Sequence, residues 1–129
     1  MPAVTIEVRR RYSPEEETGI IDAVHAGLIE SLKIPDWDKT IRLIAHEPHR
    51  FAVQPGKGER FTLVTIDMFA GRSLGAKKSL YQAVVRNLAA FGIPADHIKI
   101  LLREIPAENW GIRGGIPASE VDLNFEIKV

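Results

Sequence analysis

Met1-Pro2 opens the chain directly ahead of the alternating run Val4, Thr5, Ile6, Glu7, Val8. Proline lacks an N–H and is tolerated in sheets at a strand's first residue or on an edge, so Pro2 suits the start of a strand. Removal of Met1 gives it a second capacity, because it would then carry a free secondary amine. An α-amino group titrates at about 8, far closer to neutrality than lysine. Burial and nearby cations both disfavour its charged form. Neutral, such a nitrogen can abstract a proton; cationic, it can donate one or polarise a carbonyl.

Other chemistries find little support. The chain has no cysteine, which excludes disulfides, thiolate nucleophiles and thiolate metal sites. His25, His46, His49 and His97 show no HExxH or other metal-binding spacing. The glycine-rich stretch GIRGG (111–115) lacks the Gly-Lys-Ser/Thr ending of a phosphate loop and reads as a turn, with Arg113 a further cation for a site or a subunit contact. Arg9, Arg10 and Arg11 are followed at once by Glu15, Glu16 and Glu17 and read as a solvated strand end.

The elements that must position Pro2 come from an internal duplication. AVTIE (3–7) returns as LVTID (63–67), an offset of 60 at which Ser13 meets Ser73, Ile20 meets Leu80, Val24 meets Val84 and Leu28 meets Leu88. One residue drops out, and IPDWDKTIRLIAHEP (34–48) then matches IPADHIKILLREIP (93–106). Each half reads strand, helix, strand. Ser13, Pro14 and Glu16 specify a helix start with a capping box, and Ile20, Ile21, Val24, Leu28 and Leu32 continue at helical spacing. Leu80, Val84, Leu88 and Phe91 repeat the pattern until Gly92 and Pro94 end it. The closing strands are expected over about Thr40–Glu47 and His97–Ile105.

An α+β fold follows: two β-α-β units forming one four-stranded sheet with both helices on one face. The expected organisation is a single domain over 1–129, with halves of about 2–53 and 60–106 joined by the turn-rich QPGKGE (54–59). The extension 107–129 is expected to end in a strand carrying Val121, Leu123, Phe125 and Ile127. Two helices leave the second sheet face bare. Leu43, Phe61, Leu63, Met68, Ile100 and Leu102 are assigned to it, so burial against further copies is expected.

Seventeen basic residues balance seventeen acidic ones, which argues against nucleic acid or an anionic membrane as partner. No apolar run reaches the roughly 18 residues of a membrane span, and the N-terminus lacks a secretory pattern. A cytoplasmic protein is expected.

A duplicated β-α-β unit beginning Met-Pro, with FAGRS (69–73) at the second helix and ENWGIRGG (108–115) late in the chain, resembles the tautomerase superfamily. This is the superfamily of macrophage migration inhibitory factor. Within it the chain is most similar to the long-chain branch of malonate semialdehyde decarboxylases and tautomerase-like proteins. The resemblance implies a homotrimer with sheets inside and helices outside, and a pocket around Pro2 near a subunit boundary. It implies no cofactor and no metal. It further implies Arg72 as a catalytic and substrate-binding arginine, Asp38 as a carboxylate acting on water or orienting substrate, and Trp110 as a pocket wall. The chain departs from the decarboxylase pattern in having Ala70-Gly71-Arg72 where that enzyme has Arg-Pro-Arg, and Ile112 where it has an aromatic.

The function expected is tautomerisation of a small carboxylate-bearing keto or enol substrate, with Pro2 as base and Arg72 as anion clamp. The alternatives are decarboxylase or hydratase chemistry with cationic Pro2 and Asp38, or a trimeric binding module without chemistry.

Overall fold

In a computed structural model, which describes residues 2–123, the two halves interleave in one sheet. The elements of the sheet are β1 (Ala3–Val8), β2 (Ile41–Ala45), β3 (Thr62–Phe69) and β4 (Ile98–Ile105), in the order β2-β1-β3-β4. Within each half the strands are parallel; β1 and β3 meet antiparallel at the centre.

The register turns the sequence repeat into a symmetry. Thr5 lies opposite Thr65, and Val4 and Ile6 lie opposite Ile66 and Val64. Residues separated by the repeat offset therefore exchange places about a pseudo-twofold axis through the Thr5–Thr65 pair. The outer strands obey it too: Thr5 pairs with Arg42 and Thr65 with Leu101, an offset of 59 that carries the single-residue deletion.

Helix α1 (Pro14–Leu32) starts where its cap specifies. The Ser13 hydroxyl accepts from the Glu16 amide at 3.1 Å, and the Glu16 carboxylate accepts from the Ser13 amide at 3.0 Å. Helix α2 (Leu74–Leu88) is capped by Ser73, whose hydroxyl accepts from the Ala76 amide, and a 3-10 turn at Ala89–Phe91 closes at Gly92. Both helices cover one sheet face, with Ile20, Val24, Leu28, Leu80, Val84 and Leu88 packed fully buried on Val4, Ile6, Val64 and Ile66. The helices cross closely because Gly27 has no side chain: a Cβ there would lie 3.1 Å from the Val84 methyl.

The bare face differs from its expected composition. Strand register sets Met68, Leu43, Ile100 and Leu102 on the helix side, where Met68 is buried in the core and the other three pack against it. Phe61 precedes β3 and is buried. An alternation of two allows a strand only one core face, and Leu43, Met68, Ile100 and Leu102 lie in register with the core side of Ile6, Val64 and Ile66, whereas Phe61 keeps the parity of Leu63. The open face keeps Leu63 as expected and adds Leu101 and Ile44, among Thr5, Thr65, Glu7 and an Asp67–Arg103 ion pair. Leu101 is 52% exposed and Ile44 42%.

After β4, a 3-10 turn at Ala107–Asn109 leads into a small hairpin of β5 (Gly111–Ile112) and β6 (Ile116–Pro117). GIRGG is its turn, with Arg113, Gly114 and Gly115 all at positive φ. Val121–Leu123 follow without strand structure, and the remainder of the expected final strand, including Phe125 and Ile127, lies outside the described residues.

Candidate active site

The topology gathers the sequence-derived residues at one end of the sheet. β1 starts beside the start of β2, since Val4 pairs with Ile41, and beside the end of β3, since Ala3 pairs with Asp67. Pro2, the turn before β2 and the turn after β3 therefore converge. Pro2 itself is buried. Asp38, in the turn closed by the Asp38 amide on the Pro35 carbonyl, is only 2% exposed. Arg72, between β3 and α2, is 6% exposed.

Arg72 senses both its burial and the nearby Asp38. Burial pulls the guanidinium below its ordinary pKa range, and the Asp38 carboxylate opposes that shift. Arg72 still has hydrogen-bonding capacity to spare, because its buried Nε has no partner among the described residues. A buried N–H of this kind is costly unless something accepts from it, and an anionic substrate group is a suitable acceptor.

The turn carrying Arg72 is held from two sides. Gly71 adopts φ 123°, a conformation that residues with a Cβ rarely enter. Its amide bonds to the Glu104 carboxylate, which also pairs with Lys77 on α2; Lys77 is the main reason the Glu104 carboxyl sits below its ordinary pKa.

Trp110 closes the far corner of this end. Phe69 at the end of β3 pairs with Ile105 on the open face, and the Trp110 ring packs edge-on against Phe69 with centroids 5.1 Å apart. The indole N–H donates to the Ile105 carbonyl at 3.2 Å. Arg113 is exposed at the hairpin tip with a left-handed φ of 50°.

Some features escaped the sequence reading. Phe69 is one, although its position four residues before Ser73 fixes it at the strand end. Trp37, beside Asp38, is another: it is 66% exposed at the candidate site's end of the sheet. Arg9 is a third, since it is no solvated strand end. Its Nε donates to the Phe51 carbonyl at 2.7 Å, Nη1 to Gly58 at 2.9 Å and Nη2 to Pro48 at 3.3 Å. No local pattern signals that clamp, because all three acceptors are backbone carbonyls about forty or more residues away. Among the described residues, no group of three or more His, Asp or Glu side chains is arranged to hold a metal ion.

A duplicated β-α-β protomer with a buried arginine and carboxylate at the amino-terminal end of its central strand has the architecture of the tautomerase superfamily. The chain belongs to the family of tautomerase enzymes, whose family model matches residues 38–113, a span that includes Asp38, Arg72, Trp110 and Arg113. It is 39% identical over 57 residues to a 2-hydroxymuconate tautomerase of Comamonas testosteroni, covering 43% of this chain and 89% of that one. A 2-hydroxymuconate tautomerase of Pseudomonas putida is 37% identical over 57 residues, with the same coverage. Among solved structures, the FG41 malonate semialdehyde decarboxylase inhibited by 3-bromopropiolate superposes with a TM-score of 0.82 at 26% identity, over 89% of this chain and 92% of that one. The R7 fused 4-OT wild-type asymmetric trimer shares the fold, with a TM-score of 0.82 at 16% identity over 91% and 96% of the two chains. No described helix is long and apolar enough to cross a membrane.

Proposed function

We propose that this chain is a cofactor-independent tautomerase for a small keto or enol carboxylate, acting as a single-domain protomer of a homotrimer. The observation that carries the reading is the buried Arg72 guanidinium, with an unpartnered Nε–H, near Asp38 at the Pro2 end of the sheet. Removal of Met1 frees the Pro2 nitrogen, and burial together with Arg72 lowers its proton affinity. The neutral nitrogen takes the hydroxyl proton of the enol as its electrons collapse to a carbonyl, and the proton is returned to carbon. Arg72 holds the substrate carboxylate and steadies the charge that develops between the two transfers. Trp110, backed by the buried Phe69, supplies the apolar wall on which the rest of the substrate rests. Arg113, exposed on its hairpin, is assigned to binding the substrate or a neighbouring subunit.

Intact-mass measurement followed by phenylenolpyruvate ketonisation tests the reading. Loss of one methionine, turnover by the processed protein and its collapse in Pro2→Ala are expected. Equal turnover by the wild type and Pro2→Ala overturns it.

The buried Asp38 favours one second reading. With Pro2 cationic, malonate semialdehyde would lose its carboxylate as carbon dioxide and take up one proton to give acetaldehyde. Acetaldehyde formation that disappears in Asp38→Asn, while phenylenolpyruvate turnover persists, would establish that activity beside the first.

A further inference from the structure

The pseudo-twofold axis gives the sheet two comparable ends, and only one of them carries Pro2. The offset of 60 sends Pro2 to Thr62 and Arg72 to Tyr12. The offset of 59 sends Asp38 to His97 and Trp110 to Phe51. That second correspondence is visible in matching 3-10 turns, Pro48–Arg50 before Phe51 and Ala107–Asn109 before Trp110. We propose that the Thr62 end is a second small-molecule site, which binds an apolar or aromatic monocarboxylate and does not turn it over.

A cavity of about 410 Å³ lies at that end. This is within the roughly 300–1,000 Å³ typical of ligand pockets. Its walls are Phe51, Val53, Phe61 and Leu63, and the one basic side chain among its lining residues is Lys99. Phe51 and Phe61 meet edge to face with centroids 5.9 Å apart, forming a rigid aromatic corner. Lys99 is paired with Leu63 on the open face, so its ammonium stands at the rim beside the apolar wall. One cation over an apolar pocket selects a ligand with one anionic head and an apolar body.

The pocket is built in advance of any ligand. The three hydrogen bonds from Arg9 hold the carbonyls of Pro48, Phe51 and Gly58, which fixes the segment that supplies Phe51 and Val53. Preorganisation of this kind removes an ordering cost from binding.

The same end lacks a reagent. The Thr62 nitrogen is an internal peptide amide, and its hydroxyl donates to the Arg60 carbonyl. His97 faces the Asp96 carboxylate with one ring nitrogen and accepts the Gly58 amide with the other. Tyr12, in the position of Arg72, is buried between Arg10 and Arg60, whose guanidinium carbons stand 5.0 and 5.9 Å from its ring centroid. The His46–Glu7 pair, 3.0 Å apart, packs on Phe51 but is not part of the cavity lining, so among the described residues no proton-shuttling pair lines the cavity and the site binds only.

The test uses the full-length protein in its native oligomeric state, with 4-fluorophenylacetate observed by fluorine NMR. Saturable binding is expected to persist in Arg72→Gln, which cripples the Pro2 end, and to vanish in Val53→Trp, which fills the cavity. Lys99→Gln, a surface change, is expected to weaken binding about two- to fivefold, as for a half-exposed ion pair. Absence of saturable binding to the wild type overturns the proposal, and so would a neighbouring copy that fills the cavity and leaves the probe unbound. Binding lost in Arg72→Gln and untouched by Val53→Trp overturns it as well, because the ligand then sits at the Pro2 end. Phenylenolpyruvate turnover is read separately, so failure here leaves the tautomerase reading standing.

Discussion

Arg72 carries a double burden, because it is both a buried charge near Asp38 and the proposed anion clamp. Those two roles separate experimentally. Arg72→Gln keeps a hydrogen-bond donor but loses the charge, and a charge-assisted hydrogen bond contributes about 1.5–3 kcal/mol. The expected outcome is a 10- to 100-fold fall in kcat/KM for phenylenolpyruvate, carried mainly by KM if the arginine binds ground state and transition state alike. Arg72→Lys restores charge without the planar fork and is expected to recover only part of that loss. Steady-state kinetics on both variants checks it, and unchanged kcat/KM in Arg72→Gln removes the arginine from the site. At this scale the sequence was informative where a residue's position follows from a strand end. Pro2, Asp38 and Arg72 all flank strands of the repeat, so placing the strands places them. Arg9 was illegible because its clamp depends on a loop conformation, and Arg113 because a hairpin tip can be aimed at several neighbours.

The elements were the most legible level, since their starts are written in short-range chemistry. Ser13, Pro14 and Glu16 form the capping box their spacing implies. Ser13→Ala is expected to cost about 1 kcal/mol, read as a lower melting temperature at pH 7. The backbone and hydroxyl of Ser13 hold the Glu16 carboxyl below its ordinary pKa. A depressed carboxylate contributes stability that is present above the unfolded value and is lost as pH falls through the folded one. The gap between wild type and Ser13→Ala should therefore be widest above the ordinary carboxylate range and narrow as the solution is acidified below it. A gap that stays constant in melting curves from pH 7 to pH 3 would show that the Ser13 hydroxyl does not act through the Glu16 carboxylate, whose bond to the residue-13 amide survives in the alanine variant. The strand faces were less legible, because Leu43, Met68, Ile100 and Leu102 are apolar on either reading. Pairing register, fixed by the whole sheet, decides their side.

The β3–α2 turn joins element to site. Gly71 holds φ 123° between Phe69, which supports Trp110, and Arg72. A side chain there forces the turn out of this conformation, at about 1–3 kcal/mol. Gly71→Ala is expected to lower the melting temperature and also kcat/KM, as Arg72 and the Glu104 contact move together. An alanine variant with wild-type kinetics would show that Arg72 is positioned by α2 rather than by the turn.

The whole molecule is shaped by a mismatch between two covering helices and a two-faced sheet. The open face around the pseudo-twofold axis offers Leu101 and Ile44 beside threonines and an Asp67–Arg103 ion pair. That mixture suits a face buried against copies of itself, because apolar contacts drive association and the polar pairs fix its register. Leu101 pairs with Thr65, one of the two residues on the axis, so a charge there would be repeated by every copy around any symmetric assembly. Leu101→Glu is therefore expected to convert a trimer to protomers in sedimentation velocity, while the helix-covered core keeps its circular dichroism and its cooperative melt. If a neighbouring subunit completes the Pro2 pocket, phenylenolpyruvate turnover falls with the trimer population, and raising protein concentration restores both together. A protomeric Leu101→Glu with full turnover would confine the site to one chain. A trimer that survives the substitution would mean that the open face is not what holds the copies together.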